Sequence, residues 1–229
     1  LSRWPLAVVA LLTLNACATP EPEPRPEEPV VVTLGDSVPA GTGCDCRPFP
    51  DLYARLLSSH AASINLAQPG FTTADVREQV GTSDIRDDIR SASLVVVMAG
   101  ANDMAEAFEN GDDYPGTARA VQDAVSSIVD TVRSEHGSPV TVLVLGYWNV
   151  VRDGEVGLSA YGADGLEEAR RATRYCNDAL RQAAEHSGAA YLDTSAAFTG
   201  DPTAFLTPDG DHPNAAGHEA IAALLRGRH

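Results

Sequence analysis

The stretch VVVTLGDSVPAG, residues 30–41, decides how the rest of the chain is read. Its first five residues are apolar or β-branched and do not alternate with polar ones, the pattern of a strand buried on both faces. The run stops at Gly35-Asp36-Ser37, a small, polar, turn-forming cluster. A serine just past the carboxyl end of a buried strand stands where an open α/β sheet places its chemistry. Alone, the stretch equally describes a strand and an ordinary turn, with Asp36 and Ser37 as capping residues. Two later stretches decide between these readings.

Downstream, apolar runs alternate with helical patterns. Residues 94–98 and 140–145 read as further buried strands, and 63–66 and 189–192 as shorter ones. Helices are expected over 50–60 (with Leu52, Leu56 and Leu57 on one face), from a cap at Thr72 or Thr73 to about 80, and over 116–136, 164–186 and 214–226. Residues 148–165 contain several glycines and no clear period, so they read as a loop over the sheet's carboxyl edge. Non-alternating strands separated by helices make a parallel sheet covered on both faces. No internal repeat is present, and a single domain over 30–229, acting as a monomer, is expected.

Three polar clusters fall past strand ends or in late loops: Gly35-Asp36-Ser37, Gly100-Ala101-Asn102-Asp103 and Asp209-Gly210-Asp211-His212. Together they supply what acyl transfer needs. Ser37 can attack a carbonyl if a base takes its proton, and His212 is a suitable base near neutral pH. Asp209, three residues earlier, can fix the imidazole tautomer and stabilise the imidazolium, with Asp211 as an alternative partner. The oxyanion needs donors: the Asn102 side chain, and the backbone N–H groups of Ser37 and Gly70. Asp36 and Asp103 read as turn-stabilising residues, His218 as a packing or surface residue, and Tyr147 and Trp148 as either pocket wall or core.

This set of blocks resembles the SGNH (GDSL) hydrolase family. The resemblance rests on Gly35-Asp36-Ser37 with Gly41, on Gly70 after Asn65, on Gly100 to Asp103, and on Asp209 to His212, in family order. It implies a three-layer α/β/α sandwich with a parallel, flavodoxin-like sheet and a serine esterase or lipase needing no metal or other cofactor. It also implies Ser37 as nucleophile, His212 as base, Asp209 as its partner, and an oxyanion hole of Ser37, Gly70 and Asn102. Ala67 stands where the second block often has a glycine, which bears on local loop geometry only. The substrate implied is a small-molecule, lipid or acylated-glycan ester. A catalytically silent glycan- or acyl-binding protein on the same fold, or an acyltransferase, is the alternative.

Other motifs fail. Pro39 stands where G-x-S-x-G needs its second glycine, and Gly41-Thr42-Gly43 completes neither a dinucleotide loop nor a P-loop. Pro213 occupies a ligand position of a would-be calcium loop, and His212 and His218 lack zinc-helix spacing. Of the cysteines past residue 17, one pairing among Cys44, Cys46 and Cys176 is expected. A bridge from the Cys44/Cys46 loop to the helix carrying Cys176 would close a long loop and contribute about 4–5 kcal/mol. One Cys-x-Cys pair is a thin basis for zinc.

Acidic residues outnumber basic ones 32 to 16, every basic side chain apart from histidine being arginine, which argues against nucleic acid and anionic membrane surfaces as partners. Residues 1–18 pair Arg3 with an apolar run over 6–14, the pattern of an export signal. Residues 19–29 alternate Pro and Glu as a charged, extended linker. Cleavage at Ala16-Cys17-Ala18 gives a secreted protein. Reading Leu14-Asn15-Ala16-Cys17 as a lipobox gives a cell-envelope lipoprotein tethered to the membrane through Cys17. If Cys17 is lipidated, the protein incorporates labelled palmitate and partitions into detergent, and Cys17→Ser releases it. A soluble mature chain beginning at Thr19 would mark ordinary secretion instead.

Overall fold

The computed structural model describes residues 28–227. The export-like segment with Cys17, and the linker apart from Glu28 and Pro29, lie outside them. Five strands, β1 (Val30–Gly35), β2 (Ala62–Asn65), β3 (Leu94–Met98), β4 (Thr141–Leu145) and β5 (Ala190–Leu192), form one sheet. All pairs are parallel and the order is β2-β1-β3-β4-β5. β3 sits at the centre and is buried at every position, and β1 at every position after Val30. Neither strand has a wet face, which is why neither sequence alternates. β2, at the edge, is half-buried and carries Ser63 and Asn65.

Among the described residues eight α-helices connect and cover the strands: α1 (Ser37–Ala40), α2 (Phe49–Leu57), α3 (Thr73–Val80), α4 (Arg86–Ser91), α5 (Ala101–Asn110), α6 (Tyr114–His136), α7 (Gly154–Ser187) and α8 (Ala215–Arg226). α2 pairs with α8, while α3, α4, α5 and α7 gather around α6, so the sheet lies between two helical layers. The caps follow the sequence chemistry. Thr72 and Asp75 form a reciprocal capping box on α3, and Gly137 and Gly188 close α6 and α7 in the left-handed conformation.

The structure departs from the sequence expectations in three places. α2 starts at Phe49 and buries Phe49, Tyr53 and Ala54, while Leu56 is 40% exposed. The Phe49 N–H donates to His218 Nδ1 of α8 at 3.2 Å, and that bond turns the Phe49/Tyr53 edge inward. α5 was not foreseen, because its first residues read as a polar cluster. The region over 148–165 is not all loop: α7 begins at Gly154 and is interrupted at Gly162, whose φ of 69° and ψ of −179° separate two helical pieces. Among the three pairings the sequence leaves open, Cys44 pairs with Cys46, their Cα atoms 5.1 Å apart, and Cys176 is a buried free thiol donating to the Gly100 carbonyl. The bridge to α7 does not form because Cys176 is enclosed beside that carbonyl. A ring closed over so few residues contributes only about 1–2 kcal/mol by chain entropy.

At Gly35 the backbone of β1 lies close against that of β3. The φ of Gly35 is 152°, and a Cβ there would lie 2.0 Å from the Met98 carbonyl oxygen. No side chain can move aside to relieve a clash with backbone. Gly35→Ala is therefore expected to cost at least about 3 kcal/mol from strain and overpacking. In a domain of this size that lowers Tm by roughly 6–12 °C. Thermal melts of the variant beside the parent check this, and an unchanged Tm would contradict the close approach.

Candidate active site

Ser37 is positioned by a hydrogen bond that extends the sheet by one residue. β1 and β3 pair in register as far as Gly35 opposite Met98. The Asp36 N–H then donates to the Met98 carbonyl at 3.1 Å. Asp36 caps α1: its Oδ1 accepts from the Val38 N–H at 3.0 Å, and its Oδ2 accepts from the Tyr147 hydroxyl. Tyr147 lies just past β4, and Asn177 of α7 clamps its backbone by donating to its carbonyl at 2.7 Å and accepting from its N–H at 2.8 Å. Asp36 is fully buried. That burial pushes its carboxyl up to about 7, against the opposing effect of the Tyr147 and Val38 bonds. Burial also pushes the Tyr147 phenol up, and the Asp36 charge adds to the effect.

Asn102 stands one strand away, in the first turn of α5. Its Nδ2 donates to the Phe71 carbonyl at 2.8 Å, which uses one of its two amide hydrogens. Asp103, its neighbour, accepts from the Thr73 N–H at 2.9 Å and the Thr73 hydroxyl at 2.7 Å. Asp103 thus ties the start of α3 to α5, a structural role in keeping with the sequence reading.

Asp209 and His212 come from the loop before α8, which closes on itself. The Thr207 N–H donates to the His212 carbonyl at 2.8 Å, and the Gly210 N–H to the Thr207 carbonyl at 2.9 Å. Inside it, Asp209 Oδ1 accepts from the Thr207 hydroxyl at 2.6 Å and from the N–H groups of Asp211 and His212 at 2.8 and 3.0 Å. Asp209 Oδ2 lies 2.8 Å from His212 Nδ1. Partial burial works against the Asp209 charge. The bonds from Thr207, Asp211 and His212 outweigh it and hold the carboxyl well below its usual range. With an ionised Asp209 at Nδ1, the neutral ring keeps its proton there and presents Nε2 as an acceptor. Asp211 forms no side-chain hydrogen bond with the ring among the described residues; burial raises its carboxyl, against the opposing effect of His212.

Ser37, Asn102 and His212 line one cavity of about 420 Å³, within the range of small-molecule sites. Tyr147, Trp148 and Asp211 line it too, as do Glu106 and Glu109 of α5. Asp209 stands behind His212. Gly43 comes from the other end of the chain, and a Cβ there would lie 3.4 Å from Asp209 Oδ2 and 3.7 Å from His212 Cβ. Gly70 is not among the lining residues. It stands exposed before α3 and is linked to the site through its neighbour Phe71, whose carbonyl holds Asn102.

His218 is buried in the α2–α8 seam, and burial, with nearby His212 adding, pushes its imidazole down to about 4. One of its ring nitrogens lies with the Cys44 and Cys46 sulfurs inside a 4.8 Å cluster. With the sulfurs paired and Nδ1 taken by the Phe49 N–H, that group offers a cation no thiolate. Sequence reasoning missed the Tyr147–Asp36 bond, which joins residues 111 apart. It also missed Glu106 and Glu109, although their spacing of four and seven from Asn102 puts all three on one helical face.

A model of the GDSL-like lipase/acylhydrolase family matches residues 33–220. No curated protein sequence matches the chain. Among solved structures, a lipase from a goat rumen metagenome is 21% identical, with a TM-score of 0.73 over 87% of this chain and 96% of that one. Phospholipase A1 from Streptomyces albidoflavus is 26% identical, with a TM-score of 0.65 over 88% and 100%. A Geobacillus acetyl-xylooligosaccharide esterase is 18% identical, with a TM-score of 0.64 over 86% and 92%.

The two aspartates give opposite pH dependence. Asp36, raised from 3.8 to about 7, contributes stability below pH 4 that is lost as pH rises through 7. Asp209, lowered, contributes above its usual pKa and loses that only in stronger acid. His218, lowered from 6.5 to about 4, acts over the Asp36 window with the opposite sign and partly masks it. Asp36→Asn removes one of the two. Its stability relative to the parent should therefore improve between pH 4 and 8, by up to about 4 kcal/mol. Urea melts of both proteins across that range test this, and a pH-independent difference would contradict it.

Proposed function

Because the chain belongs to the GDSL-like lipase/acylhydrolase family, we propose that it is a serine hydrolase that cleaves carboxylic esters through Ser37, His212 and Asp209. The observation that carries this reading is the His212–Asp209 pair opening on the cavity that Ser37 and Asn102 also line. His212 Nε2 takes the Ser37 proton as Oγ attacks the ester carbonyl, and Asp209 stabilises the imidazolium formed. The oxyanion of the tetrahedral intermediate meets the second amide hydrogen of Asn102. The Ser37 N–H opens α1 and so lacks an intrahelical acceptor. The Gly70 N–H is the third donor the family pattern assigns. His212 returns its proton to the leaving alcohol, leaving an acyl group on Ser37, and water then repeats the sequence.

A cavity lined by Glu106, Glu109, Arg152 and Asp211 suits a short acyl group on a polar alcohol better than a long fatty chain. The export signal and the Cys17 tether read from the sequence belong to the same proposal, an enzyme working outside the cytoplasm. Ser37→Ala is expected to abolish hydrolysis of p-nitrophenyl acetate, and a fluorophosphonate probe to label Ser37 alone. Asn102→Ala should lower kcat by about 10²–10³ with little change in KM, because its bond strengthens only as the oxyanion forms. Labelling at another serine would overturn the nucleophile. A raised KM at unchanged kcat would make Asn102 a substrate contact instead.

A further inference from the structure

We propose that the catalytic cavity selects esters bearing a cationic group, and that Glu106 and Glu109 are the residues that recognise it. The proposal rests on the hydrolase reading for its chemistry and on the following geometry for its specificity. Asn102, Glu106 and Glu109 follow one another at four- and three-residue steps along α5, so the glutamates share the helical face of the amide at the reaction centre. All three line the same cavity.

Neither glutamate forms an ion pair or side-chain hydrogen bond among the described residues. Three other glutamates are paired, Glu135 with Arg86 and Arg90, Glu167 with Arg170 and Arg174, and Glu168 with Arg171, so what sets Glu106 and Glu109 apart is their place on the cavity lining. Asp211 adds a third carboxyl to the lining. Arg152, the one guanidinium there, acts on Asp211, where it favours the charged form. Glu106 and Glu109, both exposed, therefore leave unbalanced negative charge on the cavity lining.

A second observation points to a ligand in the same place. Asn149 lines the cavity and is only 3% exposed. Its Oδ1 accepts from the Val150 N–H and the Thr173 hydroxyl, but its Nδ2 has no partner among the described residues. Trp148 Nε1, on the same lining, is also buried without an acceptor. Buried donors of this kind call for an acceptor, and the oxygens of an ester supply one. Trp148, one face of which stacks on Phe198, and Tyr161, which meets Phe108 edge-on, lie in the lining too, and an aromatic face attracts an ammonium group. A positive charge is also drawn by the whole chain, whose formal net charge is −16.

Two carboxylates within several ångströms in a water-like dielectric favour a cation over its neutral isostere by about tenfold. Salt screens such a preference. The test uses the Ser37→Ala protein, so that binding is read without turnover, with acetylcholine and its neutral carbon isostere 3,3-dimethylbutyl acetate as ligands in calorimetry. Acetylcholine should bind about tenfold more tightly at low ionic strength. The ratio should fall towards one in about 1 M salt, where the Debye length is about 3 Å. It should fall likewise when Glu106→Gln and Glu109→Gln are added, and Glu109→Lys should reverse the order. Equal affinities, a preference that survives the double substitution, or no binding of either ester would each overturn the proposal. Turnover of p-nitrophenyl acetate by the parent protein is measured separately. Its absence would sink the hydrolase reading while leaving the binding ratio to decide the specificity.

Discussion

The in-register pairing of β1 with β3 is the constraint on which the site depends. Gly35 lies opposite Met98, and the Asp36 N–H reaches the same Met98 carbonyl that blocks any side chain at Gly35. Ser37 and Asn102 are therefore placed by one shared ladder, whose geometry backbone hydrogen bonds dictate. A one-residue slip of either strand would turn every one of its side chains to the opposite face and repack both helical layers. Core packing and active-site spacing are thus enforced by the same apolar runs.

On that frame, two aspartates meet opposite electrostatic fates for reasons visible in their neighbours. Asp36 is enclosed, with one oxygen on a backbone N–H and the other on a phenol, and burial dominates. Asp209 is half-exposed and receives four hydrogen-bond donors, so its charge is held. A permanently charged carboxylate at His212 Nδ1 suits the general-base role proposed for that ring. A carboxyl that hovers near neutrality suits a residue whose task is to hold a turn.

Much of this was legible in the sequence because its signals are local. The β-branched runs gave β1, β3 and β4. Thr72 and Gly137 marked helix ends, and the three polar clusters marked the strand ends and the late loop from which Ser37, Asn102 and His212 reach one cavity. What was not legible depends on neighbours far along the chain. Which of the three cysteines pair could not be read from spacing, because the enclosure of Cys176 beside Gly100 is set by α7 and α5. The burial of Asp36 depends on Tyr147, and the inward edge of α2 depends on His218. α5 was hidden because Gly100-Ala101-Asn102-Asp103 looks like a turn until its continuation into Glu106 and Glu109 is read with helical spacing.

The remaining step is how the late loop is brought to Ser37. Its internal bonds fix its shape, and α8 fixes its place. Asn214 caps α8 and also donates to the Leu206 and Ala204 carbonyls, joining loop and helix into one body. α8 in turn packs on α2, where the Phe49 N–H meets His218 Nδ1. α2 follows directly from the loop in which Gly43 rests against Asp209. Two segments from opposite ends of the chain are thus locked along one seam, and the neutral imidazole of His218 lies inside it. Charging that ring in acid works against the seam before it affects Asp209, whose carboxyl protonates only at lower pH. The place of His212 on the cavity it shares with Ser37 is therefore set by helix packing, and under the proposed mechanism a change at the α2–α8 contact acts on the chemistry without touching a reacting atom.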